Sequence, residues 1–311
     1  MLSTAFFAVV VTCAPSAAAE EASQGFAVGR FEPAERGSDW FASDSLDIRG
    51  HLRPALGVSF DVTSKSLVHV DATGTPIAPI VGPMVLAHVG AALVVFERLR
   101  VGASMPLQLY ADGTSATVAG QRYAAPANDQ GLGDVRLAAH ARLLGAYGDP
   151  ATLATGARVW LPTGSQAQYL GDGSLRARPQ LMLAGEVGHF AYAVETGVTF
   201  RHRDAPIGRA PLGPELGATI ATGATFADRR VFVGPELTFS TVLEDAFSRA
   251  TTPVEGSLGA HVLIARTVRV GASAGAGLTR GQGTPPVRVV VALEWLLPSF
   301  DDAPAGEGGG R

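Results

Sequence analysis

The residues of this sequence that could carry chemistry are arginines and glutamates at alternate positions of apolar segments. Arginines dominate the first half of the chain, glutamates follow in the second half, and both signs occur near the end. If these side chains share one face of a sheet, a basic wall faces an acidic wall across a polar space. The positions are Arg53, Arg100, Arg136, Arg142, Arg176 and Arg178, then Glu186, Glu195, Glu215, Glu236 and Glu255, then Arg269, Arg288 and Glu294.

The residues alone leave the behaviour of these two walls open. The walls could pair and block the space between them, because buried charges need partners. Water could instead fill the gap, which would leave a transverse field that orients dipolar solutes. A third interpretation is that such charges are only what a solvated inner face tolerates.

Catalytic motifs are few. Gly271–Gly275 spells the G-x-S-x-G pattern of hydrolases, but it lies in unbroken strand alternation, whereas that motif requires a strand–turn–helix context. The seven histidines are scattered singly, without the ligand spacing of a metal site. We therefore expect a protein that is not an enzyme and that binds no cofactor or metal.

The segments that carry the charges alternate between apolar and polar residues. In Leu99–Tyr110 every second residue from Leu99 is apolar, whereas Arg100 and Gln108 lie on the other face. This period of two predicts a β-strand with one apolar face, and the pattern recurs about twelve times. Short connections such as Glu97–Arg98 alternate with long ones such as 111–132, which is typical of outer-membrane barrels.

These features predict an all-β fold, a closed antiparallel up-and-down transmembrane β-barrel of about 12 strands. The alternative is a soluble β-sandwich or propeller with its apolar face in a core. Low charge content disfavours that alternative, since charged residues make up 17% of the chain against about 25% in soluble domains. Predicted strands of about 10 residues also exceed the usual length of about 5–6 in soluble proteins.

Some strand details are less regular. The break at Thr63–Lys65 predicts a bulge inside one long first strand that continues to Val70. Four prolines inside predicted strands are expected at bulges or strand ends, because proline cannot donate a ladder hydrogen bond. They are Pro54, Pro179, Pro214 and Pro235. Aromatic residues near strand ends could form interfacial girdles, namely Phe96, Tyr110, Trp160, Phe190, Phe226 and Trp295.

Composition and hydropathy divide the chain into four parts. Residues 1–19 resemble a secretory signal peptide that contains the single cysteine, Cys13, with cleavage expected after Ala19. Residues 20–49 lack clean alternation and predict either a periplasmic lead-in or a small plug in the lumen. The barrel is expected over residues 50–297, followed by a Gly-, Pro- and Asp-rich tail, 298–311, expected to be disordered.

The final alternating segment, 288–295, ends in Trp295. It resembles the closing-strand signal that the barrel assembly machinery reads, so this machinery and outer-membrane lipid are the expected partners. The net charge of −4 shows no basic footprint, so we expect no nucleic-acid binding.

Several short motifs resemble those of known outer-membrane barrels. Residues 131–134 (GLGD) resemble a strand opening, and residues 161–164 (LPTG) resemble a strand end, in outer-membrane channels of the MetA-pathway (phenol degradation) type. Gly-Pro-Glu-Leu at 213–216 and 234–237 looks like a repeated strand start. Residues 36–41 (RGSDWF) and 46–54 (LDIRGHLRP) resemble the N-terminal barrel half of OmpA-family proteins. The resemblance covers roughly residues 30–297 and implies an outer-membrane barrel with a transport or structural role. OmpA-family proteins usually continue into a peptidoglycan-binding domain, which this sequence lacks, so we expect no peptidoglycan binding.

The sequence therefore predicts an outer-membrane protein, with a passive channel for small solutes as the leading hypothesis. The alternative is a structural or surface-interaction barrel with a plugged lumen, whose long loop meets partners. A secreted soluble β-protein is the third possibility.

Overall fold

The computed structural model describes residues 25–71, 75–128, 130–202, 211–265 and 267–297. The predicted signal peptide, 1–19, and the predicted disordered tail, 298–311, lie outside the described residues. Among the described residues, no helix has the length and hydropathy needed to cross a membrane.

Twelve strands form the main sheet, and their alternating sequences explain why they extend: one face meets an apolar surrounding and the other a polar interior. Each strand pairs antiparallel with its neighbours in the chain. The strands are β1 Arg53–Thr63, β2 Met84–Val95, β3 Leu99–Ala111, β4 Val135–Leu144, β5 Thr152–Leu161, β6 Arg176–Val187, β7 Phe190–Arg201, β8 Glu215–Phe226, β9 Val231–Val242, β10 Val254–Ile264, β11 Val268–Gly277 and β12 Arg288–Leu296.

The sheet closes on itself, because β1 pairs with β12 from Ala55 opposite Leu296 to Thr63 opposite Arg288. The predicted closed antiparallel up-and-down barrel of about 12 strands is therefore confirmed. Short connections all lie at one end, which we call the short-turn end, and long connections lie at the other, the long-loop end.

The predicted bulge in the first strand is wrong. Strand β1 ends at Thr63, and Leu67–Val70 instead pairs with Pro76–Val81 in a separate two-stranded hairpin beyond the barrel wall. The number of barrel strands is still twelve, because the predicted first strand included both β1 and this short run. A second hairpin, Ala116–Val118 with Gln121–Tyr123, extends the next long loop.

The prolines are accommodated in two ways. Pro54 lies at the start of β1 and Pro214 directly precedes β8, as expected of strand ends. Pro179 and Pro235 lie inside β6 and β9, where pairing with one neighbour is interrupted but keeps its register on both sides of the gap. The expectation of a bulge or strand end at these two positions is wrong, since the ladder tolerates a missing donor without shifting.

The outer surface of the barrel is apolar. Large hydrophobic side chains occupy outward positions on strands around the wall, among them Leu56, Phe60, Leu137, Leu181, Ile220, Leu258 and Val291. Inward positions carry mostly polar and small residues. This inside-out distribution is the one that a lipid-facing barrel requires.

Five of the predicted girdle aromatics, Phe96, Tyr110, Phe190, Phe226 and Trp295, are exposed near strand ends. Trp160 is the exception and the girdle prediction is wrong for it. Its side chain is buried in the lumen, where its indole N–H donates to the Glu32 carboxylate at 3.1 Å.

Inside the barrel, residues 25–50 occupy the lumen. Buried apolar residues form three clusters there: one near each end, and one halfway along the wall, where Phe31 and Phe41 pack with Val290 and Ala292 of β12. At the long-loop end, Phe26 and Val28 pack with loop residues that include Tyr169 and Leu212. Near the short-turn end, Trp40 and Ile48 lie in a second cluster with wall residues. The charged residues of the lumen lie largely between the two end clusters.

A charge placed on the outer face tests whether that face contacts hydrocarbon. Leu258 lies halfway along β10 and is 61% exposed, whereas Ile264 ends the same strand. We expect Leu258→Arg to lower the free energy of unfolding in phospholipid vesicles by about 2–4 kcal/mol and Ile264→Arg by at most about 1 kcal/mol, because the penalty for a charge depends on membrane depth. Urea titrations followed by gel mobility would measure both. Equal and small losses would contradict a membrane position for the outer face.

Candidate functional site

The candidate site is the lumen together with the segment Gly25–Gly50, which we call the lumen segment. At the long-loop end, the N–H of Val28 donates to the Tyr169 carbonyl at 3.1 Å. At the short-turn end, the Gly50 carbonyl accepts the N–H of Glu97 at 3.1 Å. The segment therefore runs the length of the barrel before the chain turns back into β1.

The basic wall is met by carboxylates of the lumen segment. Arg136 contacts Glu32 at 3.1 Å and Glu35 at 3.0 Å. Arg100 forms a buried ion pair with Asp44, and Arg53 contacts Asp47 at 2.9 Å. These predicted lumen-lining arginines thus meet the lumen segment, rather than the opposite wall.

The acidic wall is met by both cations and backbone donors. Glu236 accepts the consecutive N–H groups of Phe41, Ala42 and Ser43 at 2.7–3.0 Å. Glu215 contacts Arg30 of the lumen segment at 2.8 Å and Arg201 at 2.9 Å. A charged acceptor that receives several backbone N–H groups fixes the turn that supplies them.

Other charges of the wall pair with wall residues. Glu195 forms a two-point ion pair with Arg158 at 2.6 and 3.0 Å. Glu255 contacts Arg288 at 2.6 Å, and Arg176 contacts Asp134 at 3.0 Å.

Three further predicted positions lie near the ends or the seam of the barrel. Arg269 contacts Asp39 at 2.6 Å, Glu186 pairs with Arg229 at 2.6 Å, and Glu294 lies 3.4 Å from Arg36. Arg142 is half-buried near the short-turn end, and Arg178 lines a cavity of the lumen.

Sequence reasoning missed several charged residues that complete this network. Arg158 follows the same alternation in β5 as the predicted residues do in other strands, so the period-two rule could have found it. The carboxylates of the lumen segment had no such signal, because residues 25–50 do not alternate. The missed residues are Arg30, Glu32, Glu35, Arg36, Asp39, Asp44, Asp47, Asp61, Asp134, Arg158, Asp172 and Arg201.

Tyr147, in the turn between β4 and β5, contacts the lumen segment at the short-turn end. Its hydroxyl donates to Asp39 at 2.7 Å, and the guanidinium groups of Arg49 and Arg229 lie 4.2 and 4.6 Å from its ring centroid. Burial, together with the negative charge of Asp39, raises the pKa of Tyr147 well above its usual value. The phenol therefore stays neutral and remains a hydrogen-bond donor.

At the long-loop end, the motifs GLGD and LPTG contact each other. Asp134 accepts the N–H of Gly164 at 2.9 Å, and Thr163 accepts the N–H of Val135 at 2.9 Å. A side chain at Gly164 would lie 2.6 Å from the Leu170 carbonyl, so glycine is required for this close approach. The two motifs thus hold the ends of β4 and β5 together, and we call residues 131–134 and 161–164 the clasp.

The two Gly-Pro-Glu-Leu repeats occupy different places, so their prediction as equivalent strand starts is wrong. The first lies where β8 begins, whereas the second lies inside β9. Their glutamates, Glu215 and Glu236, consequently reach different parts of the lumen segment.

Asp172 joins the lumen segment to the clasp. It accepts the N–H of Ala27 at 2.8 Å, and Arg176 and Arg201 each lie 3.4 Å away. Burial acts to raise the pKa of Asp172, but the two guanidinium groups outweigh it, so its pKa lies below the usual value. The carboxylate is therefore charged at neutral pH and holds the segment at the long-loop end.

The hydrolase-like pattern Gly271–Gly275 does not have the structural context of that motif. Ser273 of the hydrolase-like pattern lies in the middle of β11, not at a strand–helix turn. Among the described residues, no group of three or more His, Cys, Asp or Glu side chains is placed to hold a metal ion.

Neutralising a buried carboxylate of the lumen segment should destabilise the protein more than neutralising a partly exposed one. The Glu35 side chain is 2% exposed and faces both Arg136 and Arg158, whereas the Glu32 side chain is 31% exposed. We expect Glu35→Gln to cost about 3 kcal/mol of unfolding free energy, because it leaves buried arginines undercompensated. Glu32→Gln should cost at most about 1 kcal/mol, since water screens that pair. Unfolding of both variants by guanidinium chloride would test this. Equal losses of unfolding free energy would count against the buried network.

Comparisons with solved structures identify the architecture. The fold is similar to that of an outer-membrane channel from Pseudomonas putida F1, with a TM-score of 0.61 and 14% identity over 80% of this chain and 97% of that one. It is also similar to the NanC porin, with a TM-score of 0.52 and 7% identity over 78% of this chain and 100% of that one. No protein-family model and no curated protein sequence matches the chain. The relation to OmpA-family barrels stays a prediction, and the chain has the fold of these outer-membrane channels.

Proposed function

We propose that this protein is a passive outer-membrane channel for small solutes, and that the lumen segment gates it. The observation that carries the proposal is the contrast between an apolar outer face and a lumen lined with charges. A wall that faces lipid outside and polar groups inside provides a route across the membrane for solutes that lipid excludes.

The nature of the contacts supports a movable segment. Within the described residues, the lumen segment is joined covalently to the barrel only where Gly50 continues towards β1. Many of its contacts with the middle of the wall are ion pairs and hydrogen bonds, such as Arg136 with Glu35. Phe31 and Phe41 add a smaller apolar contact with β12. Water can replace the polar contacts when the lumen opens, whereas it cannot replace the packing of an apolar core.

The alternative function is a structural or surface-interaction barrel without transport. The two apolar clusters near the ends of the lumen favour it, because both must separate before a solute passes. In that case the long connection between β3 and β4 would meet partners outside the membrane.

Two partners follow from the proposal. Outer-membrane lipid would surround the apolar wall, with the short turns in the periplasm and the long loops outside the cell. The barrel assembly machinery would read β12, whose exposed Trp295 lies close to the end of that strand.

A disulfide that locks the lumen segment to β1 would test the gate. A Cβ built at Gly37 lies 3.8 Å from the Cβ of Ala55, which matches the Cβ separation of about 3.8 Å in disulfides. We expect the Gly37→Cys, Ala55→Cys variant, with Cys13 replaced by serine, to be silent in planar bilayers when oxidised and to show discrete conductance steps after reduction. Single-channel recording of inserted protein measures this.

The matched control is Gly37→Ala. It carries the same strain from a positive φ of 96°, roughly 1–3 kcal/mol, but cannot form the crosslink. The control should conduct equally before and after reduction. If the double-cysteine variant also conducts equally when oxidised and when reduced, the segment is not the gate. Silence of wild-type and reduced protein after confirmed insertion would favour the structural barrel.

A further inference from the structure

A cavity of about 90 Å³ lies between the lumen segment and the wall formed by β5–β10. Its lining includes five arginines and three glutamates. The arginines are Arg30, Arg158, Arg176, Arg178 and Arg201, and the glutamates are Glu32, Glu215 and Glu255.

Four of these arginines have close carboxylate partners. Arg30 and Arg201 both contact Glu215, at 2.8 and 2.9 Å. Arg158 contacts Glu195 at 2.6 Å, and Arg176 contacts Asp134 at 3.0 Å. These four guanidinium groups are therefore occupied by the protein itself.

Arg178 differs from the other four. The carboxylate recorded beside it is that of Glu195, 3.9 Å from its Nη2 and already bound at two points by Arg158. Within the described part of the chain, the buried Nε and Nη2 atoms of Arg178 have no hydrogen-bond partner. Leaving buried donors of a charged group unmatched is costly, so Arg178 would be stabilised by a ligand that its guanidinium group can turn to meet.

The surroundings of Arg178 leave room for its guanidinium group. A Cβ at Gly217 would lie 3.1 Å from Nη2, and a Cβ at Gly197 would lie 3.0 Å from Nε. The two glycines thus let the group lie close to the wall. The Thr284 hydroxyl, which also lines the cavity, is buried without a recorded hydrogen-bond partner among the described residues.

We propose that this cavity binds a small carboxylate through Arg178, a lining residue whose guanidinium group turns its Nε and Nη2 edge towards the ligand. Both donors lie in one plane and match the two oxygens of a carboxylate, which gives each N–H group its own acceptor, whereas a monatomic anion must share one acceptor between them. This inference rests on the proposed channel function, since it places a carboxylate site on the route of passage and makes small carboxylate-bearing solutes the substrate class.

Binding of ¹³C-labelled acetate to the refolded full chain in detergent micelles tests the site without requiring conduction. NMR titration should show saturable binding to wild type, and Arg178→Gln should weaken it by about tenfold or more, because charge-assisted hydrogen bonds are lost. Arg178→Lys keeps the charge but loses the planar edge, so its affinity should fall between the two. The matched control, Arg142→Gln, removes an arginine that does not line this cavity and should leave binding unchanged.

Gel mobility before and after boiling would confirm that each variant is folded, and the lysine variant keeps the test valid if the glutamine variant does not fold. Equal binding by wild type and both Arg178 variants, or no binding by wild type, would overturn the site. Displacement of acetate by chloride at equal concentration would also overturn it, because the planar geometry would then have no role. Acetate binding combined with bilayer silence would leave the site intact and reject only the channel function.

Discussion

The compensation of buried charge in the lumen is the constraint on which the rest of this structure depends. A barrel that faces lipid outside must turn its polar residues inward, and a chain segment in the lumen removes most of the water that would solvate them. Each guanidinium group then needs a carboxylate or a carbonyl, since an unpaired buried charge costs several kcal/mol. The lumen segment provides such groups at Glu35, Asp39 and Asp44.

The distribution of charge along the chain follows from this constraint. Acidic side chains of the lumen segment lie against the basic strands, whereas Glu236 meets the backbone N–H groups of the segment. Backbone donors compensate a carboxylate without requiring a cation, so part of the acidic wall is satisfied without further arginines. The segment and the two walls are thus complementary along the length of the lumen.

Much of the barrel follows from local sequence, because the period-two pattern depends only on neighbouring residues. It predicts the strand number, the short and long connections and the inward position of residues such as Arg100 and Glu215. The separate hairpin at Leu67–Val70 could not be recognised this way, since an alternating run is the same whether it continues a strand or begins another. The inward position of Trp160 follows from the same alternation as that of Arg158. Its hydrogen-bond partner Glu32, however, is 128 residues away, and the pairing of the walls with residues 25–50 is equally non-local. Such partners are fixed only when the chain closes.

The position of the lumen segment favours one order of assembly over another. The segment directly precedes β1, and β1 pairs with β12, the last strand of the barrel. Once that seam has formed, a segment with this many charges would have to enter a closed cylinder end-on and lose its water within it. Entry from the side, while the sheet is still open, avoids that barrier because the acidic and basic groups meet as the strands curl around them. Pairing of β1 with β12 therefore encloses a lumen segment that is already in place. The electrostatic fit between this segment and the wall becomes a condition for closing the barrel.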